Sequence, residues 1–322
     1  MPSQSIALAP APETAIAFGQ ALLDNLGRVV RGTHGALTAA VVATLAGGHL
    51  LVEDVPGVGK TVLARALAGS LGAELCRIQG HPDLLPSDVT GVSVYSPATQ
   101  IWEFRPGPVF AHVVLADELN RTPPRTQAAL LESMEEGQVS VDGRSWPLPQ
   151  PHMVIATQNP LSQRGTFPLV ESQLDRFALA TSIGYPDADE EARLVLRQGG
   201  RHALEDLDPV ADVRAWQEAR LATAEVSVVE AVATYAVEIC RATRGAPGVR
   251  LGASPRAAIW LIRSAQAHAV VAGRTYVTPG DVKSVAAACL AHRLVCDDGD
   301  GSLSAGTAVL QVLVDQLPAP RP

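Results

Sequence analysis

Two hydrophobic patterns divide this chain into a first part that mixes strands with helices and a second part that is helical. In the first part, apolar residues recur near one face over residues 13–30, which predicts a helix, and a second helix is predicted over residues 37–45. Short apolar runs bounded by turn residues predict buried strands of a parallel sheet. These buried strands are predicted to start at Leu50 and to cover residues 113–116 and 153–160. Another strand is predicted over residues 74–79, and further helices over residues 60–68 and 124–136.

Two segments alternate apolar and polar residues on both sides of a turn, and therefore predict β-hairpins. The first hairpin pairs residues 91–95 with residues 101–105, and the second pairs residues 138–141 with residues 144–148. The second turn is Asp142-Gly143, a favoured two-residue hairpin connection. Such a hairpin is either structural or faces a partner, and the sequence leaves both interpretations open.

Beyond Tyr185 the alternation of strands and loops ends, and only helical patterns remain. Two helix starts are marked by a capping residue followed by proline, at Ser254-Pro255 and Thr278-Pro279. The sequence therefore predicts an α/β domain over residues 13–185 and a helical domain over residues 186–322, with residues 1–12 disordered. The helical patterns cover residues 188–197, 210–221, 226–244, 254–272 and 278–294.

The stretch from Leu50 to Thr61 joins a short apolar strand to a helix through a loop of proline and glycine. Gly57 and Gly59 have no Cβ, so backbone N–H groups can close around phosphate oxygens, and the following helix directs its N-terminal N–H groups at the same anion. Lys60 is suited to neutralise the β- and γ-phosphates, and the Thr61 hydroxyl to bind Mg²⁺. The predicted nucleotide-binding residues are Asp54, Val55, Pro56, Gly57, Val58, Gly59, Lys60, Thr61 and Val62.

Two details qualify this phosphate loop. Only two of the 25 basic residues are lysines, Lys60 and Lys283. One of these two therefore occupies the phosphate-binding position of the loop, where a compact ammonium group is favoured over a guanidinium. Asp54 occupies the position six residues before the lysine, where the pattern has glycine. Aspartate tolerates left-handed backbone better than most residues, but its carboxylate must point away from the phosphates. The alternative is an ordinary strand–turn–helix connection, which the context of the motif disfavours.

Two carboxylates, Asp117 and Glu118, follow the buried strand at residues 113–116. The carboxyl ends of the strands are where ligands of open α/β sheets collect. Asp117 is suited to hold Mg²⁺, and Glu118 is suited to act as the base that polarises an attacking water. Asn159 ends another buried strand and would reach the water or the γ-phosphate beside Glu118. An acidic helix cap is the alternative, and the phosphate loop upstream favours the catalytic interpretation.

Two arginines are ambiguous when the residues are considered alone. Arg176 precedes an apolar segment, where an arginine is more often part of a surface ion pair. Arg256 lies in the first turn of its predicted helix and could face the nucleotide or the solvent. Helix N-termini disfavour cations, so Arg256 indicates that an anion lies nearby.

Composition narrows the classes of function. The net charge of −8 and the pI near 5.5 argue against a general nucleic-acid binder, since phosphate contacts need a basic surface. The four cysteines lack metal-ligand spacing, which predicts free thiols in a reducing compartment. The N-terminus has no basic residue, and the apolar run over residues 35–52 is broken by Gly47-Gly48-His49, so neither a signal peptide nor a membrane span is predicted. We expect a cytoplasmic protein.

With these residues placed, the chain resembles the MoxR family of AAA+ ATPases over nearly its whole length, and five motifs in the right order make this resemblance specific. It implies an α/β fold in which a P-loop AAA+ three-layer αβα parallel sheet is followed by an all-helical lid domain. The first hairpin resembles the helix-2 insert of that branch, and the second the hairpin before sensor 1. The segments that carry the resemblance are residues 53–61, 84–91, 104–108, 115–121, 156–160, 174–177 and 252–257.

The resemblance also implies roles for individual residues. Arg176 resembles the arginine finger, which acts on the ATP of the neighbouring subunit, and Arg256 resembles sensor 2. Gly80-His81 departs from the family pattern, in which an aromatic and a hydroxyl residue are expected, so the contacts of that loop are left open. Lys60 and Thr61 correspond to Walker A, Asp117 and Glu118 to Walker B, and Asn159 to sensor 1.

The function implied by the resemblance is that of an ATPase that uses ATP and Mg²⁺ and assembles as a homo-oligomeric ring, often a hexamer. Such rings act as chaperone-like remodellers of client proteins. They commonly work with a partner that carries a von Willebrand factor A (VWA) domain, and help to mature or insert cofactors into enzymes.

Three other functions are compatible with a phosphate loop. A small-molecule kinase would need an acceptor pocket and a phosphate lid with several arginines, and the two hairpins and helical second domain argue against it. A nucleic-acid motor of the same superfamily is disfavoured by the acidic charge. A nucleotide-dependent scaffold that hydrolyses little ATP is opposed by Glu118 and Asn159, while Asp54 keeps it open.

Overall fold

Five strands form the central sheet of the computed structural model. The structure describes residues 11–30, 34–160, 165–186, 188–196, 204, 207–297 and 303–320. The sheet strands are β1 Leu50–Glu53, β2 Leu75–Gln79, β5 Val113–Asp117, β8 Met153–Gln158 and β9 Leu179–Thr181. Their order is β2-β5-β8-β1-β9, and every pairing in this sheet is parallel.

Alternate residues of each strand face opposite sides of the sheet, so each side has its own hydrophobic core. Leu50 and Val52 of β1 belong to one core and Leu51 to the other, and β5 and β8 alternate in the same way. Burial on both faces is typical of a parallel sheet covered by helices. The predicted three-layer αβα arrangement is therefore confirmed.

Within the described residues, six α-helices belong to the α/β part. The first core includes residues of the first three, and the second core includes Leu130, Leu131 and Met134 of the fifth. The helices are α1 Pro12–Val29, α2 His34–Ala46, α3 Lys60–Ser70, α4 Pro86–Thr90, α5 Pro124–Glu136 and α6 Glu171–Leu174.

Both predicted hairpins are present. One consists of β3 Gly91–Ser96 and β4 Ile101–Pro106, and the other of β6 Gln138–Val141 and β7 Arg144–Pro147. Asp142 and Gly143 have φ of +51° and +73°, which is the backbone that a two-residue turn of this kind requires. Phe104 stacks on Trp146 with their ring centroids 4.5 Å apart, so the two hairpins contact each other.

The lid is helical, as predicted, and it also contains elements that the helical patterns did not reveal. Ser254 and Thr278 cap their helices as expected, since each side chain accepts a hydrogen bond from the third residue that follows. A short antiparallel ribbon joins β10 Val249–Leu251 to β11 Val295–Cys296. The helices are α7 Ala188–Leu196, α8 Val213–Ala224, α9 Glu230–Thr243, α10 Pro255–Val271, α11 Pro279–Leu290 and α12 Leu303–Gln316.

The last helix and the ribbon were missed for physical reasons. Gly306 lies within α12, and glycine is a poor helix former, which weakens the helical pattern of the sequence. Glycine is needed at this position because a Cβ would lie 2.4 Å from the Ala291 carbonyl oxygen. The ribbon strands have three and two residues, which is too short to show a period. The strand β9 was missed for the same reason.

The lid shares the first core with the α/β part. Trp216 of α8 and Leu261 of α10 belong to the same cluster as Leu22 and Leu26 of α1. The Trp216 indole N–H donates to the Thr44 carbonyl of α2 at 3.1 Å. The predicted boundary between residues 185 and 186 falls in the irregular segment after β9, and it stays a prediction.

Three remaining expectations concern the chain as a whole. The disorder predicted for residues 1–12 falls mainly on residues 1–10, which lie outside the described residues, and α1 begins at Pro12. The four cysteines are free, and burial raises the pKa of Cys240 to about 12. Across the described ranges, no helix combines the length and the apolar character needed to cross a membrane.

Candidate functional site

The loop between β1 and α3 leaves free space beside its two glycines, Gly57 and Gly59. Gly57 and Gly59 have φ of +88° and +101°, a region that favours glycine, and a Cβ on either would contact nothing within 4 Å. The helix α3 begins at Lys60, and Gly59 offers it no side-chain cap. The N–H groups of the first turn of α3 are therefore available to an anion.

The Lys60 ammonium lies over carbonyl groups at the start of its own loop. Nζ donates to the Asp54 carbonyl at 2.5 Å and to the Val55 carbonyl at 3.2 Å. Burial lowers the pKa of Lys60, and the negative charges of Asp54, Asp117 and Glu118 oppose that shift. The phosphate loop thus has a partly buried cation whose charge is favoured by the two acids at the end of β5.

The side chain of Asp54 points away from the phosphate loop and into the segment that follows β9. Oδ2 accepts hydrogen bonds from Ser182 Oγ at 2.9 Å and from the Ile183 and Gly184 N–H groups at 2.8 Å each. Oδ1 accepts from the Val55 N–H at 2.8 Å. Four donors compensate the burial of this carboxylate. The orientation required of Asp54 is therefore observed, and its partners explain why an aspartate fits here.

Asp117 ends β5 and Glu118 follows it; these two residues are called the acid pair below. Thr157 of β8 holds both, since its Oγ1 donates to Asp117 Oδ1 at 2.7 Å and accepts from the Glu118 N–H at 2.9 Å. Arg77 of β2 donates to Asp117 Oδ2 at 2.5 Å. The strands on both sides of β5 therefore fix the acid pair. Neither partner was predicted, because nothing near Arg77 or Thr157 in the sequence marks them as partners of Asp117.

Glu118 has a left-handed backbone, with φ of +54° and ψ of 49°, which is strained for a residue that has a Cβ. Gly80 makes room for this turn, because a Cβ at position 80 would lie 2.2 Å from the Glu118 carbonyl oxygen. The Gly80 N–H also donates to the Asp117 carbonyl at 2.7 Å. The glycine where an aromatic residue was expected is thus required by the backbone of the acid pair. The Glu118 carboxylate pairs with Arg121 at 3.2 Å.

Asn159 follows β8 and is buried. Its carbonyl accepts a hydrogen bond from Asn120 Nδ2 at 3.4 Å. Because β8 pairs in parallel with β5, Asn159 and Glu118 emerge at the same edge of the sheet. This position agrees with the predicted place of Asn159 beside Glu118, and its contact with a water or a γ-phosphate stays a prediction.

Arg176 and Arg256 meet at one carboxylate, that of Glu135 on α5. Arg176 Nε lies 3.3 Å from Glu135 Oε2, and Arg256 Nη1 lies 2.5 Å from Glu135 Oε1. The hydrogen bond from Arg256 lowers the pKa of Glu135. Glu135 is thus the anion that the position of Arg256 indicated. Among the contacts of the described residues, neither arginine touches the phosphate loop or the acid pair.

The residues at this edge of the sheet fit a nucleoside triphosphate with Mg²⁺. The open loop and the first turn of α3 offer N–H donors, and Lys60 offers a cation. The Asp117 carboxylate and the Thr61 hydroxyl are hard oxygen ligands of the kind that Mg²⁺ takes, usually together with substrate phosphates. The structure therefore brings together the residues predicted to bind the nucleotide and to activate water, and among the contacts of the described residues the two arginines are bound elsewhere, at Glu135.

Comparisons with known proteins agree with this arrangement. The chain matches the family described as "ATPase family associated with various cellular activities (AAA)" over residues 49–179, and the AAA lid domain over residues 241–309. It is 47% identical to "Uncharacterized protein YeaC" of Bacillus subtilis, with 85% of each chain covered. It is 39% identical to "Chaperone MoxR1" of Mycobacterium tuberculosis, over 83% of this chain and 73% of that protein.

A solved structure is similar over the full architecture. The crystal structure of a "putative ATPase" from Cytophaga hutchinsonii superposes with a TM-score of 0.85 at 33% sequence identity. The match covers 96% of this chain and 98% of that one. The α/β part, both hairpins and the lid therefore have a counterpart in one known fold.

Proposed function

The chain belongs to the MoxR family of AAA+ ATPases, and on that premise we propose that it binds and hydrolyses ATP as a homo-oligomeric ring, of the hexameric kind, to remodel client proteins. The finer part of the proposal is that the ring works with a VWA-domain partner and serves the maturation of client enzymes or the insertion of their cofactors. The kinase alternative loses its support, since the chain belongs to an ATPase family with a helical lid.

One observation carries the proposal. The open phosphate loop and the acid pair lie at the carboxyl edge of one parallel sheet, and the negative charges of both acids raise the pKa of Lys60 against the effect of its burial. Thr157 and Arg77 hold Asp117 from two sides, and Thr157 fixes the backbone of Glu118. A fixed carboxylate next to a phosphate-binding loop is what water-driven phosphoryl transfer needs, because that reaction depends on positioning and charge stabilisation.

Each residue has a role in this proposal. Lys60 and the N–H groups of the loop bind the phosphates, and Thr61 and Asp117 hold Mg²⁺, which neutralises phosphate charge. Glu118 takes a proton from the attacking water. The side chain of Asn159, at the same edge, orients that water or the γ-phosphate.

The arrangement of the two arginines supports a ring. Arg176 and Arg256 are 29% and 41% exposed, and both hold a carboxylate rather than the phosphate loop of their own chain. Guanidinium groups that pair with a carboxylate also suit a phosphate. We place Arg176 on the γ-phosphate of the neighbouring subunit, where a finger supplied in trans stabilises the transition state. Arg256 acts as sensor 2 at the same phosphate.

A protein client suits the surface better than a nucleic acid. The first hairpin exposes Tyr95, Ile101 and Trp102, of which Trp102 is 69% exposed. An exposed apolar patch is typical of a protein-binding surface. The net charge of −8 opposes a nucleic-acid track. The scaffold alternative loses its main argument, because one oxygen of the Asp54 carboxylate is bound by residues 182–184 and the other by the Val55 N–H at the start of the loop, which leaves Gly57 and Gly59 open to the phosphates.

Substitution of the base tests the core of the proposal. Glu118→Gln should bind ATP and hydrolyse it about a hundred- to ten-thousandfold more slowly, because the amide cannot accept the proton of the water. Lys60→Ala is the control that fails to bind ATP in a titration. Turnover in Glu118→Gln within about tenfold of the unmodified chain would place the base elsewhere. An unmodified chain that binds ATP without turnover would favour the scaffold.

A mixing experiment tests the ring. Arg176→Ala should bind ATP, assemble, and hydrolyse about a thousandfold more slowly. Mixed with Glu118→Gln, it should regain activity, because some interfaces then combine an intact base on one subunit with an intact finger on the next. If light scattering shows that mixed rings form but activity does not return, Arg176 does not act in trans. Co-purification with tagged Glu118→Gln, held in its ATP-bound form, identifies the VWA partner and the client.

A further inference from the structure

A buried arginine of the lid holds the backbone on both sides of Arg176. Arg293 follows α11, and its side chain is 2% exposed. Nε donates to Asp175 Oδ1 at 2.7 Å. Nη2 donates to the Phe177 carbonyl at 2.7 Å and to the Asp175 carbonyl at 3.3 Å, and Nη1 donates to the Ala178 carbonyl at 3.3 Å. Residues 175–178, called the finger segment below, therefore supply most of the acceptors that a buried guanidinium needs.

Two further lid residues bind the finger segment. The His292 ring lies with Nε2 3.1 Å from the Phe177 carbonyl, and burial together with the charge of Arg293 holds the pKa of His292 well below its ordinary value. The neutral ring therefore donates through Nε2. Ser254, which caps α10, donates to Asp175 Oδ2 at 3.2 Å. Asp175 thus connects Arg293 to the first turn of α10.

Arg176 itself is held much less firmly than the backbone that carries it. Among the described residues its guanidinium has one ion pair, to Glu135, and both partners are about one-third exposed. Such an exposed pair fixes a long side chain poorly. The direction in which Arg176 leaves the protein is therefore set by the finger segment, and the finger segment is set by the lid.

We propose that Arg293 and Asp175 are positioning residues for ATP hydrolysis, which fasten the finger segment to the lid so that Arg176 and Arg256 are presented together to one phosphate. Asp175 is next to Arg176 in the chain and bonds to the cap of the helix that carries Arg256, which gives the two arginines a common support. This proposal rests on the proposed function, since it needs Arg176 to act on ATP.

Arg293→Lys is the substitution that tests the role. It keeps the positive charge, but one ammonium nitrogen cannot span the carboxylate and three carbonyls that a planar guanidinium reaches. The matched control is Arg274→Lys, which weakens another lid ion pair, to the buried Asp281, with distances of 2.6 Å from both terminal nitrogens. Arg274 contacts the lid alone among the described residues, so its loss should affect stability without moving Arg176.

The measurements are kcat and KM for ATP, ring size, and thermal stability, made on the full chain. Arg293→Lys should keep KM and ring size and lose about a hundredfold in kcat, since a misplacement of about 1 Å can cost that much. Arg274→Lys should keep kcat. The double variant Arg176→Ala/Arg293→Lys should be no slower than Arg176→Ala alone, because Arg293 acts through Arg176 and a purely structural residue would add its own loss.

The outcomes separate this inference from the proposed function. Full activity in Arg176→Ala refutes the finger itself. If Arg176→Ala has a lowered kcat but Arg293→Lys does not, the positioning role is overturned and the finger remains supported. The same conclusion follows if the kcat of the double variant is lower than that of both single variants. If circular dichroism shows that Arg293→Lys does not fold, Asp175→Asn replaces it. That variant keeps an oxygen acceptor for Arg293 but loses the negative charge and the second carboxylate oxygen, which accepts from Ser254, so the finger segment is held less firmly to the cap of α10. It should lower kcat at unchanged KM, and this loss should again be non-additive with Arg176→Ala.

Discussion

Asp54→Gly restores the residue that phosphate loops ordinarily have, and we expect it to destabilise the protein without improving ATP binding. The four hydrogen bonds to the Asp54 carboxylate come from Val55, Ser182, Ile183 and Gly184, at 2.8 to 2.9 Å. Ile183 is fully buried, so its N–H would be left without a partner. The exposed Ser182 hydroxyl would turn to water.

The magnitude follows from these four donors. A stranded buried N–H costs about 1–3 kcal/mol, and a lost hydrogen bond to a charged group about 1.5–3 kcal/mol where water cannot replace it. Taking about 2 kcal/mol for Ile183, and about 1 kcal/mol in total for the half-exposed Val55 and Gly184 N–H groups, gives about 3 kcal/mol. The flexibility of glycine in the unfolded chain adds about 0.5–1 kcal/mol.

Urea unfolding followed by circular dichroism measures this cost, and calorimetric titration measures ATP affinity. Asp54→Asn is the matched control, because its side-chain oxygen still accepts hydrogen bonds; it should cost about 1–2 kcal/mol. Both variants should bind ATP within about threefold of the unmodified chain, a difference below 1 kcal/mol. A glycine variant as stable as the parent, or an asparagine variant that binds ATP more than about tenfold tighter, would show that the carboxylate faces the phosphates.

Two other substitutions test different parts of the molecule. Gly80→Ala should leave ATP binding intact but slow hydrolysis by about tenfold or more, because its Cβ would lie 2.2 Å from the Glu118 carbonyl oxygen and would shift the base; single-turnover kinetics would show this. Asp281→Asn should cost about 3 kcal/mol, measured by urea unfolding at pH 7, because it leaves Arg274 without its charged partner. Burial alone would raise the pKa of Asp281, but hydrogen bonds from Arg274, His268 and Thr278 outweigh it and hold the pKa well below its ordinary value of 3.8. Because the pKa of Asp281 is lower in the folded state, this stabilisation is present above pH 3.8 and is lost as the pH falls further. The difference in the free energy of unfolding between the parent and Asp281→Asn should therefore shrink only in that acid range.

The parts of the fold that obey local rules could be predicted from the sequence. The buried strands β1, β5 and β8 are mainly apolar runs, and the second hairpin has the Asp142-Gly143 turn. The helix starts at Ser254 and Thr278 have side-chain caps that the sequence shows directly. The short strands β9, β10 and β11 have at most three residues, so their existence depends on neighbours that are distant in the chain.

The site divides in the same way. The phosphate loop and the acid pair could be recognised because their spacing is local and their chemistry needs those residue types. Their partners could not, because Arg77, Thr157 and Glu135 are ordinary residues until tertiary structure brings them to a charge. Arg77 lies 40 residues from Asp117, and Glu135 lies 121 residues from Arg256.

Several buried charged side chains have hydrogen-bond partners that are distant in the sequence, because a buried charge must be paired. Glu53 and Asp54 precede the phosphate loop and are both buried, and each is satisfied by a backbone N–H far along the chain. Glu53 Oε1 accepts from the Leu303 N–H at the start of α12, 250 residues away, and Asp54 accepts from the segment that leads into the lid. Arg293 spans 118 residues to Asp175 in the same way. Because a buried charge is stable only when paired, Glu53 and Arg293 require the lid to stay docked against the α/β part. The phosphate loop at one end and the finger segment at the other are therefore joined through a single helical body.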